Sequence, residues 1–233
     1  MKIGIICAMD EETEYFLSKL QNCTKKTLGK VIVYEGTTQE GKEVVLSRSG
    51  IGKSNAAAVA AILISVYNVS YLINSGIAGA MSKILKIGDL VFSTSLSYHD
   101  ADFTVFGYKR GQIPQDTAEF NASPELIAKA EIAADTIPDL KGRIKKGLIV
   151  SGDQFINTPE KKTEILKDFP QAMATECEGA PIAHIASGFN VPFIVIRSIS
   201  DSADENEVDT YELNVKTASE NSAKLVLSMI KML

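Results

Sequence analysis

The side chains best placed for chemistry in this chain are carboxylates, and three groups stand out by position. Asp201 closes the stretch Val191-Pro192-Phe193-Ile194-Val195-Ile196-Arg197-Ser198-Ile199-Ser200-Asp201, whose apolar, β-branched beginning reads as a strand buried on both faces. Open α/β sheets place ligands at the carboxyl ends of such strands, which makes this acid the first candidate. Glu176 and Glu178 are two residues apart, and in extended backbone that spacing sets both carboxylates on one side. Paired acids hold vicinal hydroxyls or divide acid and base roles, as in glycoside hydrolysis. The third group, Asp10, Glu11, Glu12 and Glu14, sits in the first turn of a helix that follows an apolar strand. The helix dipole accounts for acids there in general and singles out none of them.

Other chemistries fail on spacing. No set of His, Cys and carboxylate residues has metal-ligand spacing, and there is no Gly-x-Ser-x-Gly elbow. Ser49-Gly50-Ile51-Gly52-Lys53-Ser54 is not a P-loop, because Ser47 stands where the first glycine belongs, and Asn55 stands where a dinucleotide fingerprint has its third glycine. Gly50 and Gly52 read instead as a tight strand-to-helix turn. His99 beside Asp100 reads as a structural histidine, and His184, inside a helix, as packing. Residue types and spacing thus reach an α/β enzyme that works through carboxylates, with a sugar as one candidate substrate.

The elements that must position these groups follow from periodicity and punctuation. Strands are expected over 2–7, 31–37, 42–49 (a hairpin turning at Gln39-Glu40-Gly41), 71–75, 88–96, 145–151 and 193–199. Helices are expected up to Leu20, over 55–67, 124–136 with Ser123 as N-cap, 158–167, across Gly179–His184, and over 211–229. If the strands run in one direction, Met9, Glu12, Ile77, Phe155 and Asp201 gather at one crevice. Asp204 and the acids after it read as a solvated rim. No linker-like stretch divides the 233 residues, so a single domain over 1–233 is expected. The 45% hydrophobic and 23% charged content is that of a globular protein. A net charge of −5 lacks the basic footprint nucleic acid requires, and no apolar run approaches the roughly 18 residues of a membrane helix. Three scattered cysteines, Cys7, Cys23 and Cys177, and a start without signal-peptide character favour the cytoplasm.

A set of motifs runs in order along nearly the whole chain: Met1-Lys2-Ile3-Gly4-Ile5-Ile6-x-Ala8-Met9-x-Glu11-Glu12, Ser49-Gly50-Ile51-Gly52-Lys53, Tyr98-His99-Asp100-Ala101-Asp102, Phe106-Gly107-Tyr108, Ser151-Gly152-Asp153-x-Phe155-Ile156, Glu176-x-Glu178 and Arg197-x-x-Ser200-Asp201. Together they resemble the bacterial 5′-methylthioadenosine/S-adenosylhomocysteine nucleosidases of the nucleoside phosphorylase/hydrolase superfamily. The resemblance implies a twisted mixed β-sheet flanked by α-helices, a homodimer, no cofactor or metal, and a place in methionine salvage. It implies hydrolysis of the N-glycosidic bond of these nucleosides, and of 5′-deoxyadenosine, to adenine and a ribose.

By the same resemblance Asp201 is the general acid to adenine N7, oriented by Ser200, and Glu12 activates water that Arg197 helps to hold. Glu178, supported by Glu176, binds the ribose hydroxyls. Phe155 stacks on adenine and Ile156 reads it through its backbone. Met9, Ile51, Ile77, Cys177 and Tyr211 complete the substrate wall, while Phe106 and Pro114 reach into the partner's site. The chain departs from the family pattern at Cys177 (commonly Met), Ile77 (often Ser), Gln154 (usually small) and Tyr211 (commonly Phe), which bears on substrate preference. Alternatives within the fold are a phosphorylase, disfavoured by the acidic loop Cys7-Ala8-Met9-Asp10-Glu11-Glu12, a hydrolase of a related adenosine derivative such as aminodeoxyfutalosine, and a non-catalytic nucleoside binder.

Overall fold

The computed structural model describes residues 1–203 and 208–233, and of 208–213 the backbone alone, so Asp204 and the Tyr211 side chain lie outside the described residues. The elements run β1 (Lys2–Cys7), α1 (Asp10–Lys19), β2 (Gln21–Leu28), β3 (Val31–Thr37), β4 (Glu43–Arg48), α2 (Lys53–Ser65), β5 (Tyr71–Ala80), β6 (Leu90–Tyr98), β7 (Phe120–Asn121), α3 (Pro124–Asp135), β8 (Ile144–Ser151), α4 (Pro159–Asp168), β9 (Ala172–Glu176), α5 (Gly179–Gly188), β10 (Phe193–Asp201) and α6 (Val208–Ile230). This is the expected mixed α/β architecture.

Alternation along the strands builds two cores, one on each face of the sheet. Ile3, Ile5 and Cys7 of β1 and Ile194 and Ile196 of β10 pack with Phe16 of α1, Ala130 of α3 and Val226 of α6. Ile6, Phe193 and Val195 point the other way, towards Val59 and Leu63 of α2 and Ile182 of α5. The alanines of α2 let it lie close against α5, and Gly52 at its N-cap takes φ +102°, a value that side chains resist. Ser123 and Thr158 cap α3 and α4 by accepting backbone N–H groups. Among the described residues no helix is long and apolar enough to cross a membrane.

The strands do not all run one way, which corrects the simplest expectation for the crevice. β1, β4, β5 and β10 are parallel neighbours, so the segments after β1 and β4 and the ends of β5 and β10 meet on one side. β6, β8 and β9 are parallel to one another but antiparallel to that set, through β6–β10 and β5–β9. Because β10 pairs both β5 and β6, the pairings β10–β6–β8–β9–β5 close into a ring, and the ends of β8 and β9 are carried round to the same cleft.

Three local differences have physical reasons. β2 was not expected, because all eight of its residues are exposed and it has no apolar face; it exists by antiparallel pairing to β3, supported by Lys26 Nζ to Glu35 Oε1 at 2.6 Å. β5 runs past its expected end at 75 through Gly76–Ala80, because glycines there admit close approach of neighbouring groups without breaking the pairing with β10, which reaches Gly79. Glu176 ends β9 while Glu178 occupies the N-cap of α5, so the two acids do not share one extended segment.

Candidate active site

Arg197 is the centre of the site. Strand alternation puts it on the face of Phe193 and Val195, and it is 1% exposed. A guanidinium so deeply buried persists only when its donors are matched. Its Nη2 donates to Asn74 Oδ1 at 2.6 Å, to Glu178 Oε2 at 3.2 Å and to Glu176 Oε2. Its Nη1 donates to the Ile77 carbonyl at 3.4 Å and lies 3.9 Å from Glu12 Oε1. Burial works against its charge, and the carboxylates of Glu176, Glu178 and Glu12 outweigh that and hold it protonated.

Around that cation each acid has its own fixing bonds. Glu12 stands at the third position of α1 and folds back, so that Oε2 accepts Ala8 N–H at 2.6 Å and Met9 N–H at 3.2 Å. Its Oε1 accepts Ile77 N–H at 3.0 Å. Burial raises its carboxyl above the usual value against the pull of Arg197 and those N–H groups. Glu178 Oε1 accepts Gly52 N–H at 3.0 Å. Burial pushes Glu178 up, Arg197 pulls it back and Glu176 pushes again, leaving it at about 7. Glu176 also accepts Ser151 Oγ–H and the N–H groups of Glu178 and Gly179 at 2.9 and 2.7 Å.

Asp201, at the tip of β10, is 5% exposed. Ser200 Oγ donates to its Oδ2 at 2.8 Å, and Ala203 N–H donates to its Oδ1 at 3.0 Å. Two glycines of β5 make room for this machinery. A Cβ on Gly76 would collide with Arg197 Nη1 and Glu12 Oε1, and one on Gly79 would lie 2.8 Å from Asp201 Oδ1. These glycines lie inside the strand, whose pairing with β10 and β9 continues through them.

The acids line a cleft of about 110 Å³. Phe155 (52% exposed) and buried Ile156 form one wall on the loop after β8, and exposed Ile51 stands at the turn after β4. Ile77 packs with Val215 and Ala218 of α6, with Met9 against them, giving the cleft an apolar end. Cys177 is half-buried, and its thiol lies 3.8 Å from the Gln154 carbonyl. Burial, then Glu178 and Glu176, push that thiol up to about 12, so it stays protonated.

The expected residues Met9, Glu12, Ile51, Ile77, Phe155, Ile156, Glu176, Cys177, Glu178, Arg197, Ser200 and Asp201 therefore share one cleft. Phe106 and Pro114 do not line it in this chain. His184 bridges Tyr98 OH at 3.1 Å and Asp116 Oδ2 at 2.6 Å and stacks on Phe120, as a structural histidine does, whereas His99 is buried outside the cleft with its Nε2 lacking a hydrogen-bond partner among the described residues. Sequence reasoning missed Asn74 and gave Ser151 no role. Asn74, fully buried in an otherwise apolar strand start, carries the signal that such a polar residue has a partner to satisfy. Among the described residues no group of three His, Cys, Asp or Glu side chains is placed to hold a metal ion.

A buried set of acids around one arginine, beside an exposed aromatic wall, makes a cleft suited to proton transfer. Residues 2–231 match the phosphorylase superfamily. The chain is 44% identical to the 5′-methylthioadenosine/S-adenosylhomocysteine nucleosidase of Desulfotalea psychrophila, over 100% of this chain and 98% of that protein. It superposes with a TM-score of 0.96 on the crystal structure of the Neisseria meningitidis nucleosidase of that name in complex with methylthio-immucillin-A, at 41% identity and covering 100% and 99% of the two chains. A futalosine hydrolase of Helicobacter pylori is similar as well, with a TM-score of 0.93 and 34% identity, covering 100% of this chain and 98% of the other. The chain belongs to the phosphorylase superfamily and, within it, to the 5′-methylthioadenosine/S-adenosylhomocysteine nucleosidase family.

Proposed function

We propose that the cleft hydrolyses the N-glycosidic bond of 5′-methylthioadenosine and S-adenosylhomocysteine, releasing adenine and the 5-thioribose. The observation that carries water over phosphate as the nucleophile is the charge of the cleft. Glu12, Glu176, Glu178 and Asp201 line it, and among its described residues Arg197 is the one cation, already engaged by Asn74, Glu176 and Glu178. A phosphate anion needs free cationic donors; water needs a base.

Adenine leaves poorly as an anion, so its N7 must be protonated while the ribose passes through an oxocarbenium-like state. Asp201 is the proton donor, its two oxygens oriented by Ser200 and the Ala203 N–H. Glu12 takes the proton of the attacking water, with Arg197 Nη1 beside its Oε1. Burial raises that carboxyl above its usual value, which makes it a stronger base than a solvated glutamate. Glu178 binds the ribose hydroxyls and its charge favours the cationic anomeric carbon, with Glu176 sharing Arg197 behind it. Phe155 stacks on the base and the Ile156 backbone reads it. Cys177 packs under the ribose, Met9, Ile51 and Ile77 line the substrate wall, and Tyr211, by the family resemblance, lies near the 5′-alkylthio group. The active unit is a homodimer in which Phe106 and Pro114 close the partner's cleft; Val105 at 85% and Phe106 at 74% exposure form an apolar tip that an interface would cover.

A general acid or base contributes about 10²–10⁴-fold. D201N and E12Q should therefore keep the wild-type circular dichroism spectrum and lose adenine release by at least the lower of those factors. Near-wild-type turnover in either variant refutes the assignment. Parallel rates on methylthioadenosine, S-adenosylhomocysteine and aminodeoxyfutalosine, without phosphate, test the substrate, the last because of the likeness to the futalosine hydrolase.

A further inference from the structure

The motif Tyr98-His99-Asp100-Ala101-Asp102 has no part in the proposed reaction, yet Asp100 stands at the junction of three loops that carry the cleft walls. Asp100 Oδ2 accepts Lys53 Nζ at 2.6 Å and the backbone N–H of Asp153 at 3.0 Å. Asp153 Oδ1 accepts the backbone N–H of Lys53 at 2.7 Å, and its Oδ2 lies 4.0 Å from Lys53 Nζ. The cycle joins the turn after β4, the segment after β6 and the loop after β8. The Lys53 and Asp100 side chains are 26% and 13% exposed, and Lys53 Nζ also lies 5.6 Å from the Tyr98 ring centroid. The Lys53–Asp100 pair is the shielded part, worth more than a solvent-exposed pair, while the Asp153 side chain that completes the cycle is 52% exposed.

Both strands of the cycle lead straight into the cleft. Gly52, the neighbour of Lys53, donates its N–H to Glu178 Oε1, and it does so at φ +102°, a conformation that needs holding. Asp153 stands two and three residues before Phe155 and Ile156, the base wall. We propose that Asp100, Lys53 and Asp153 are positioning residues: a charged clamp that fixes the Gly52 N–H on Glu178 and holds the base loop at a set distance from it. The proposal rests on the reading of the cleft as a nucleoside site, in which Glu178 meets the ribose and Phe155 the base.

Glu178 faces Arg197 from β10, Glu176 from β9, Glu12 from α1, its neighbour Cys177 and the Gly52 N–H. Of these, only the Gly52 bond depends on the clamp, and it favours ionised Glu178. D100A should lower kcat/KM by roughly 10–100-fold, the scale of a misplaced reacting geometry, and move the acid limb of its pH profile upward. K53R should recover most of what K53A loses, and D100A/K53A should be no worse than the more damaging single variant. Hydrogen-exchange protection of the Gly52 amide should fall about tenfold in D100A, a readout independent of turnover. Unchanged kcat/KM, acid limb and Gly52 protection in D100A and K53A overturn the clamp. A wild-type protein that releases no adenine overturns the functional reading instead, and the Gly52 amide then decides the clamp alone.

Discussion

Replacing Glu178 by glutamine should make the protein more stable above pH 7 while abolishing its activity. The amide keeps the shape and the acceptor for Gly52 N–H but not the charge, which is held in a buried site shared with Glu176 and Glu12. The folded carboxyl titrates at about 7 against a reference value of 4.5. A carboxyl raised on folding binds its proton more tightly in the native state, so its ionisation costs stability as pH rises through the window between those values. The cost is absent below about pH 4.5, complete above about pH 7, and amounts to about 2–3 kcal/mol between pH 5 and 8 at 1.36 kcal/mol per unit. Urea unfolding of wild type and E178Q at pH 5 and pH 8 reads it together with the response of Glu176 and Glu12, which share its site, because titrating groups remote from the cluster cancel in the difference. The advantage of E178Q should grow by about 2–3 kcal/mol across that range, while adenine release is lost at both. If the stability difference is the same at the two pH values, Glu178 is not held in the costly state on which its proposed role depends.

Gly79→Ala would set a methyl group 2.8 Å from Asp201 Oδ1 and 2.9 Å from Ala203 Cβ, displacing the acid and not the substrate wall. We expect kcat to fall by about 10²-fold with KM little changed, read in steady-state adenine release; a purely KM effect would contradict the placement of Asp201. F106A should leave Tm of the isolated subunit unchanged, since that side chain is exposed, but weaken dimer association in sedimentation and raise KM. Unaltered association and KM would remove Phe106 from the partner's cleft.

How far sequence carried this structure depends on what each segment had to accomplish. Strands with an apolar face, β1, β3 and β8, were legible because their side chains declare which face is buried. The polar strand β2 was not, because only its backbone pairing makes it a strand. In β5 only the end of the strand was misplaced, at 75 instead of Ala80, because its glycines serve the close approach of Arg197, Glu12 and Asp201 while the strand runs on. The candidate site shows the same division. Asp201 could be found from its place at a strand end; the spacing of Glu176 and Glu178 drew attention to them, but on an extended geometry that the turn from β9 into α5 does not have. Glu12 could be told from Asp10, Glu11 and Glu14 only through the family motif, since the helix dipole favours all four alike. In the structure the distinction is geometric: Glu12 alone folds back onto the Ala8 and Met9 N–H groups. Arg197 was legible as a polar residue in an apolar strand, but its role as hub was not, because its partners come from 185, 123, 21 and 19 residues away. Only a closed ring of strands brings four such distant groups to one guanidinium. The same burial that makes them costly to assemble raises the carboxyls of Glu12 and Glu178 against the pull of Arg197.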